Sequence, residues 1–408
     1  MQQPTPASPA LGSKAIVFVV GVSLMNAVAM MIIVPVLPRL VESFTGSTAS
    51  AAHYVGLFAT VFALAQFIFS PILGSLSDRF GRRTVILGSA CGQCINFALL
   101  ALAPNLLWLF IARIISGITS GSLPAVNAYI ADVARPAQRA ASYGWVSAAN
   151  SVGFLLGPAL GGMLGDINPR LPFWAAAALA FVNVLYGAVV LKESLHRDRR
   201  NPLSLGRSNP VAALTFIGAH SEVASLTGVF VMLLLAQQCM PNTIVLYTDY
   251  RFGWSSGQIG AYLTAVGVGN ILVQAFVLKS FVARFGERAG VICGFVSYTI
   301  AFLIYASAPV GQIFVLAAPF FAFGGLVTPS VQAQVTAKVA TQEQGRLQGA
   351  LAALTSFCGL FTPLLYTEVF GFAIGSGHTL LPPGTHIYLA AAFLALGAVL
   401  ASRAISRA

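Results

Sequence analysis

Charge is what this chain has least of. Only 8% of its 408 residues are Asp, Glu, Lys or Arg, whereas a soluble domain carries about 25%, so an aqueous globule is excluded. Acids are the scarcer sign, 11 against 22 basic residues. Cysteine is sparse as well. Cys91, Cys94, Cys239, Cys293 and Cys358 all fall inside apolar stretches, which excludes a framework of loop disulfides. The alternating apolar and polar residues of barrel strands are missing. So are a nucleophile–base pair and a nucleotide-binding glycine loop, and no enzyme activity or cofactor is expected. What the chain has in abundance is apolar sequence, 57% of its residues, with a mean hydropathy of +0.83. About 20 such residues cross a bilayer as a helix. The expected fold is therefore an all-α membrane protein.

Uncharged runs separated by charge and turn clusters give twelve candidate spans, the first near 15–38 and the last near 386–402. The first follows a short leader holding only Lys14 and reads as a retained helix, too long for a signal peptide and without a cleavage site. Cys91 and Cys94, three positions apart on one span, read as small residues at a helix contact, with a soft-metal pair as the alternative.

The basic excess sorts by side. In a twelve-span topology 18 Lys and Arg fall on one face, only Arg39, Arg170 and Arg251 on the other, and Arg113 inside a span. By the positive-inside rule both termini and the central loop are cytoplasmic, and the expected location is the cell's inner membrane. The charge thus reports topology, with the lipid bilayer and not nucleic acid as the partner.

The chain repeats itself. Arg79, Phe80, Gly81 and Arg83 recur 205 positions later as Arg284, Phe285, Gly286 and Arg288. Pro104, Pro124, Gly144 and Pro158 recur at the same offset as Pro309, Pro329, Gly349 and Pro363. Conformation-setting residues at one constant offset imply two pseudo-symmetric six-helix halves, 1–192 and 223–408. The polar stretch 193–222 joins them as a cytoplasmic linker whose last part, 211–222, could lie along the membrane surface. Parallel six-span repeats are a known transporter layout with the solute near the midplane.

The stretch Gly74–Arg83, at the foot of the second span, reads as a tight loop and resembles the signature of the major facilitator superfamily between helices two and three, with Asp78 and Gly81 in their expected places. Arg113, Gly117 and Gly121 resemble the fourth-helix motif. Gly153, Gly157, Pro158, Gly161 and Gly162 resemble the fifth-helix motif of its antiporter branch. The likeness covers nearly the whole chain and is greatest to the tetracycline/proton antiporters, through Val34–Pro38, Ser116–Thr119 and Gln344–Gly349. It implies drug efflux by alternating access, acting as a monomer on a small-molecule substrate, with protons as a second candidate partner.

The residues suggest roles. Asp78 with Arg79, Arg82 and Arg83 can form a charge cluster that latches one half against the other, with Gly81 setting the turn. Gly153 and Gly157 permit close packing of the fifth helix, and Pro158 bends it. Together these are the expected gating residues. Arg113, a cation inside a span, is a functional site by default. Asn26, Gln66, Asn96, Asn127, Gln237, Gln238, Asn270, Gln274 and Gln332 are the uncharged candidates for contact with solute; amides in spans also bond neighbouring helices.

The chain also departs from that family. Its resemblance implies intramembrane acids in helices one, three and nine and a histidine in helix eight, but the matching positions read Asn26, Asn96, Tyr298 and Asn270. Asp132, Asp249 and Glu368 sit at helix ends. Proton coupling needs a group that ionises within the cavity, so the coupling candidates shift to Asp132 and Asp249. Two alternatives stand beside the efflux pump. One is a uniporter of an amphipathic or anionic solute. The other is a metal or metal-chelate carrier built on Met25, Met30, Met31, Met232, Met240 and the cysteines, although no resident metal is expected.

Overall fold

The computed structural model describes residues 9–120, 123–133, 139–195, 221–339, 343–375 and 381–406. Every regular element among them is helical. The linker reading of 193–222 falls mostly outside them, as do the surface helix from 211 onward, up to Ser221 and Glu222, and Gly121 of the fourth-span motif.

In chain order the helices are α1 (Pro9–Met31), α2 (Leu37–Thr45), α3 (Thr48–Phe80), α4 (Arg82–Leu102), α5 (Leu106–Ser120), α6 (Leu123–Val133), α7 (Arg139–Ile167) and α8 (Leu171–Val190). They continue with α9 (Ser221–Gln237), α10 (Cys239–Phe252), α11 (Ser256–Leu272), α12 (Leu278–Ser307), α13 (Gly311–Leu316), α14 (Ala318–Gly324), α15 (Val327–Ala337), α16 (Gln344–Ile374) and α17 (Thr385–Ser406). Short α2 aside, they make twelve apolar crossings. The fourth, seventh and tenth crossings are jointed helices, α5–α6, α9–α10 and α13–α15. The eighth and ninth run on without a gap: α11 continues through a π-helical turn at Val273–Val277 into α12, which is itself two helices joined at a kink at Gly286.

Local sequence explains the joints. The first helix ends at Met31, ahead of Pro35 and Pro38, because residues before proline are pushed out of the α region. Helix α3 keeps its geometry through Pro71 and does not stop until Phe80. Asp78 and Arg79 therefore occupy the last turn of a helix, and the loop read from Gly74 to Arg83 contracts to Gly81, whose φ of 104° suits glycine. Ser255 opens α11 with a capping box: its hydroxyl accepts from the Gln258 N–H at 3.2 Å, while Gln258 Oε1 accepts from the Ser255 N–H.

Contacts divide the chain into two units, Met1–Leu37 with Val61–Ser208, and Pro38–Thr60 with Asn209–Ala408. In the first, α1 lies against α7 and α8, and α4 against α5 and α8. In the second, α9 lies against α16 and α17, and α12 against α14, α15 and α17. The same helix neighbours thus recur in each unit, as the 205-residue offset requires.

The α1–α7 seam shows why glycine recurs at every fourth position of α7. A Cβ on Gly153 would meet Ala27 and come within 2.9 Å of the Val28 nitrogen. On Gly157 it would meet Met31, and on Gly161 the carbonyl oxygen of Ile32. Without an aqueous driving force between membrane helices, such close approach supplies the packing energy. The core of the second unit is aromatic. Tyr247, Trp254, Tyr262, Tyr305 and Phe314 pack with ring centroids 4.4–6.5 Å apart, Trp254 on Phe314 and Tyr262 on Tyr305 edge-to-face. Their polar ends are satisfied inside, Tyr262 donating to the Tyr305 hydroxyl at 2.5 Å and Tyr247 to the Tyr305 carbonyl at 3.0 Å.

Candidate functional site

At the Gly81 break, Arg82 is the hub of an ionic network. Its guanidinium pairs with Asp78, one turn back, and donates to Ser77 Oγ at 2.6 Å. Its Nε lies 3.5 Å from Asp132 Oδ2, which also accepts from Ser194 Oγ at 2.9 Å. Its backbone N–H donates to Glu193 Oε1 at 2.9 Å. Arg83 reaches the Ala188 carbonyl at 2.7 Å. One basic pair thereby holds the ends of α3, α4, α6 and α8 together within the first unit. Arg79 is exposed, its guanidinium 5.3 Å from the Phe80 ring centroid, and Arg284 stands 5.6 Å from Phe285 at the repeat position. The repeat keeps the cation on its ring, but Ala283 and Glu287 replace Asp78 and Arg82, so the hub belongs to one unit only.

Between α4 and α5 lies a second polar constellation. Gln93 Nε2 donates to Ser120 Oγ at 3.0 Å, and Asn96 Nδ2 to Gln93 Oε1 at 3.3 Å. Asn96 is fully buried, and its Oδ1 has no partner. On α5, Arg113 stands one turn before Gly117, on the same face. Gly117 brings α5 against α3 so tightly that a Cβ there would lie 2.5 Å from the Phe62 carbonyl oxygen and 3.2 Å from the Gln66 nitrogen. The Nε and Nη2 of Arg113 are both buried without a hydrogen-bond partner. A buried, unpaired guanidinium is costly, and that cost marks the place where a ligand has most to gain.

The second unit gathers amides and hydroxyls. Gln237 Nε2 donates to Thr328 Oγ1 at 3.5 Å, and the same side chain lies beside the Tyr298 hydroxyl. Gln238 Nε2 lies where a Cβ on Gly359 would be 3.2 Å away, and Asn270 Oδ1 stands at the same distance from one on Gly325. Asn26, Asn127, Gln274 and Gln332 are exposed, and Asn127 uses its backbone carbonyl to accept from the Tyr143 hydroxyl at 3.0 Å. Asp249 pairs with Arg39 at 3.0 Å, and Arg39 also reaches Ser256 Oγ at 3.3 Å and the Trp254 carbonyl. Glu368 pairs with His53, both about half exposed. No three of His, Cys, Asp and Glu converge among the described residues. Cys94 packs on α8, its sulfur 3.6 Å from the Ala177 carbonyl.

Gln93 is not among the amides that the sequence singles out, yet it partners both Asn96 and Ser120. The signal that finds it is the repeat: Gln93 and Tyr298 are 205 positions apart, and each meets the fourth helix of its own unit. Tyr298 does so at Gly324, where a Cβ would strike its ring. Asn183 is a second amide that the sequence does not single out; its Nδ2 is 3.5 Å from the Val22 carbonyl, joining α8 to α1.

The family model of the Major Facilitator Superfamily matches residues 19–250. The chain is 37% identical to the class C tetracycline resistance protein of Escherichia coli over 88% of its length and 90% of that protein's. It is 32% identical to the class B protein of Escherichia coli, over 86% and 88%. Among solved structures, the nucleoside transporter NupG aligns over 97% of this chain and 99% of its own, with a TM-score of 0.77 at 14% identity.

Proposed function

The chain belongs to the Major Facilitator Superfamily, and from that premise we propose that it exports a drug-sized amphipathic molecule by alternating access, without a carboxylate inside its membrane spans. It is a multi-pass membrane transporter and not an enzyme. The efflux reading draws support from its likeness to the tetracycline resistance proteins. The placement of basic residues supports cytoplasmic termini in an inner membrane, and the two halves carried on one chain are in keeping with a monomeric unit.

One observation carries the reading: Gln93 and Asn96 are buried in an apolar helix, Asn96 Oδ1 and the Nε and Nη2 of Arg113 on the next helix are buried without a partner, and there is no acid among these residues. Polar groups at such a position cost several kcal/mol apiece in hydrocarbon. They persist where a solute meets them. In this reading Gln66 on α3 is a further contact of the first unit with solute, as are Asn26 and Asn127, and Gln237, Gln238, Asn270, Gln274 and Gln332 are the candidate contacts of the second unit. The Arg82 network and the α1–α7 glycine seam keep the first unit rigid while it moves.

Coupling is assigned to the helix ends. Asp132 and Asp249 each hold an arginine, so protonation of either acid releases a cation that tied two helices. Uniport is the second reading, favoured by the amides at the positions where the related antiporters carry acids. Transport in proteoliposomes across a panel of drugs, organic anions and metal chelates, with and without a pH gradient, separates the two. Accumulation driven by the gradient supports export; equilibration indifferent to it supports uniport; no movement of any compound overturns both.

A further inference from the structure

The guanidinium of Arg113 has one edge formed by Nε–H and one Nη2–H, two parallel donors spaced like the oxygens of a carboxylate. Both donors of that edge are buried and unpartnered. Among the described residues Arg39 and Arg83 also have a buried, unpartnered Nε, but Arg39 is paired with Asp249 through Nη2, and Arg83 spends Nη2 on the Ala188 carbonyl. Arg113 alone among them presents the whole edge.

Its neighbours fix what can fill it. The Gln93–Ser120 bond sets the antiparallel register of α4 and α5. Moving from Gln93 to Asn96 on α4 therefore corresponds to moving back from Ser120 to Ser116 and Gly117 on α5. Arg113 is one further turn along, about 6 Å from Gly117 by helix rise. One lane thus holds the Ser120 hydroxyl, the Gln93 and Asn96 amides, and the guanidinium, with Gln66 beside Gly117 across on α3. Of the acids of this unit that the structure describes, Asp78, Asp132 and Asp166 sit at helix ends and Glu193 lies just beyond the end of α8. The lane has one cation and no anion, and its unpartnered acceptor is Asn96 Oδ1.

We propose that this lane binds an organic carboxylate, the carboxylate seated on the Nε/Nη2 edge of Arg113 and a hydroxyl or N–H of the same molecule donating to Asn96 Oδ1. The inference rests on the transport reading above and names the substrate class at that site. An anion supplies the charge that the chain withholds from its own interior, while a cation entering the lane meets only repulsion from Arg113. The apolar helix faces around the lane suit the hydrocarbon part of an amphipathic acid.

Full-length protein in detergent, titrated with fluorescein and with 2-naphthoate and followed by fluorescence anisotropy and calorimetry, tests this. Rhodamine 6G offers the same xanthene frame with a positive charge, and fluorescein methyl ester lacks the carboxylate. Saturable binding of both carboxylates is expected, with the ester at least tenfold weaker and rhodamine 6G no competitor. Arg113→Gln should weaken carboxylate binding tenfold or more, and Arg113→Lys, which keeps the charge but loses the fork, should fall between. Wild-type affinity in Arg113→Gln overturns the proposal; if that variant does not fold, wild-type affinity in Arg113→Lys does. So does rhodamine 6G binding as tightly as fluorescein, or failure of both carboxylates to saturate. Transport of a compound without a carboxylate, in a protein that fails these titrations, would leave the transport reading standing and this assignment fallen.

Discussion

Gly81 and Gly286, 205 positions apart, adopt the same backbone conformation. Their φ/ψ values are 104°/150° and 80°/164°, a region essentially reserved for glycine. Each follows an arginine stacked on a phenylalanine and stands between two long helices. A Cβ on Gly286 would meet nothing within 4 Å, so alanine there is penalised by backbone strain alone. Gly286→Ala should lower stability by about 1–3 kcal/mol, read as a reduced melting temperature of the detergent-purified protein. An unchanged melting temperature would mean that the break relaxes freely.

The repeat was legible because prolines, glycines and arginines dictate backbone shape and topology, and those constraints survive in plain sequence. Twelve crossings followed from apolar length alone. The interior site was only half legible. Arg113 and Asn96 stand out by type, being polar groups in apolar runs, but Gln93 and Ser120 matter through a contact between helices that no local pattern records. Nor could the sequence say that Arg82, among three arginines at the hinge, would gather Asp132 and Glu193. Asp132, at the end of α6, and Glu193, just past α8, lie far along the chain, and three-dimensional packing alone brings them together.

Asp78→Asn removes the charge facing Arg82 while leaving its bonds to Ser77 and Asp132. Because Asp78 is 42% exposed, the pair contributes no more than about 1 kcal/mol to stability. Turnover should nevertheless fall by at least tenfold, since the hub positions four helix ends during the conformational cycle. Initial transport rates beside thermal unfolding separate the two effects. A wild-type rate would remove Asp78 from the gating set.

Gly161→Ala places a methyl against the Ile32 carbonyl. Backbone cannot retreat as a side chain does, so the α1–α7 seam must open. A loss of about 1–3 kcal/mol is expected from overpacking, with slower transport. Thermal melts and transport rates of this variant, compared with Gly144→Ala, where nothing lies within 4 Å, give the contrast. Equal behaviour of the two would show that the seam is loose.

Asp249→Asn separates coupling from movement. Arg39 loses its carboxylate but keeps Ser256 and the Trp254 carbonyl. If Asp249 carries the proton, the variant exchanges solute at near wild-type rates and no longer responds to a pH gradient. Asp132→Asn is the parallel case in the other unit. A gradient response surviving in both variants would show that neither acid couples.

The account stands on movement of a solute through a site exposed alternately to the two sides, and counterflow measures that directly. Proteoliposomes holding the full-length protein are preloaded with each unlabelled member of the drug, anion and chelate panel, and entry of the labelled form is followed. Saturable entry, accelerated severalfold by the same compound on the far side, is the predicted result for at least one member. Entry that rises linearly with concentration and ignores preloading, for every compound, would contradict it.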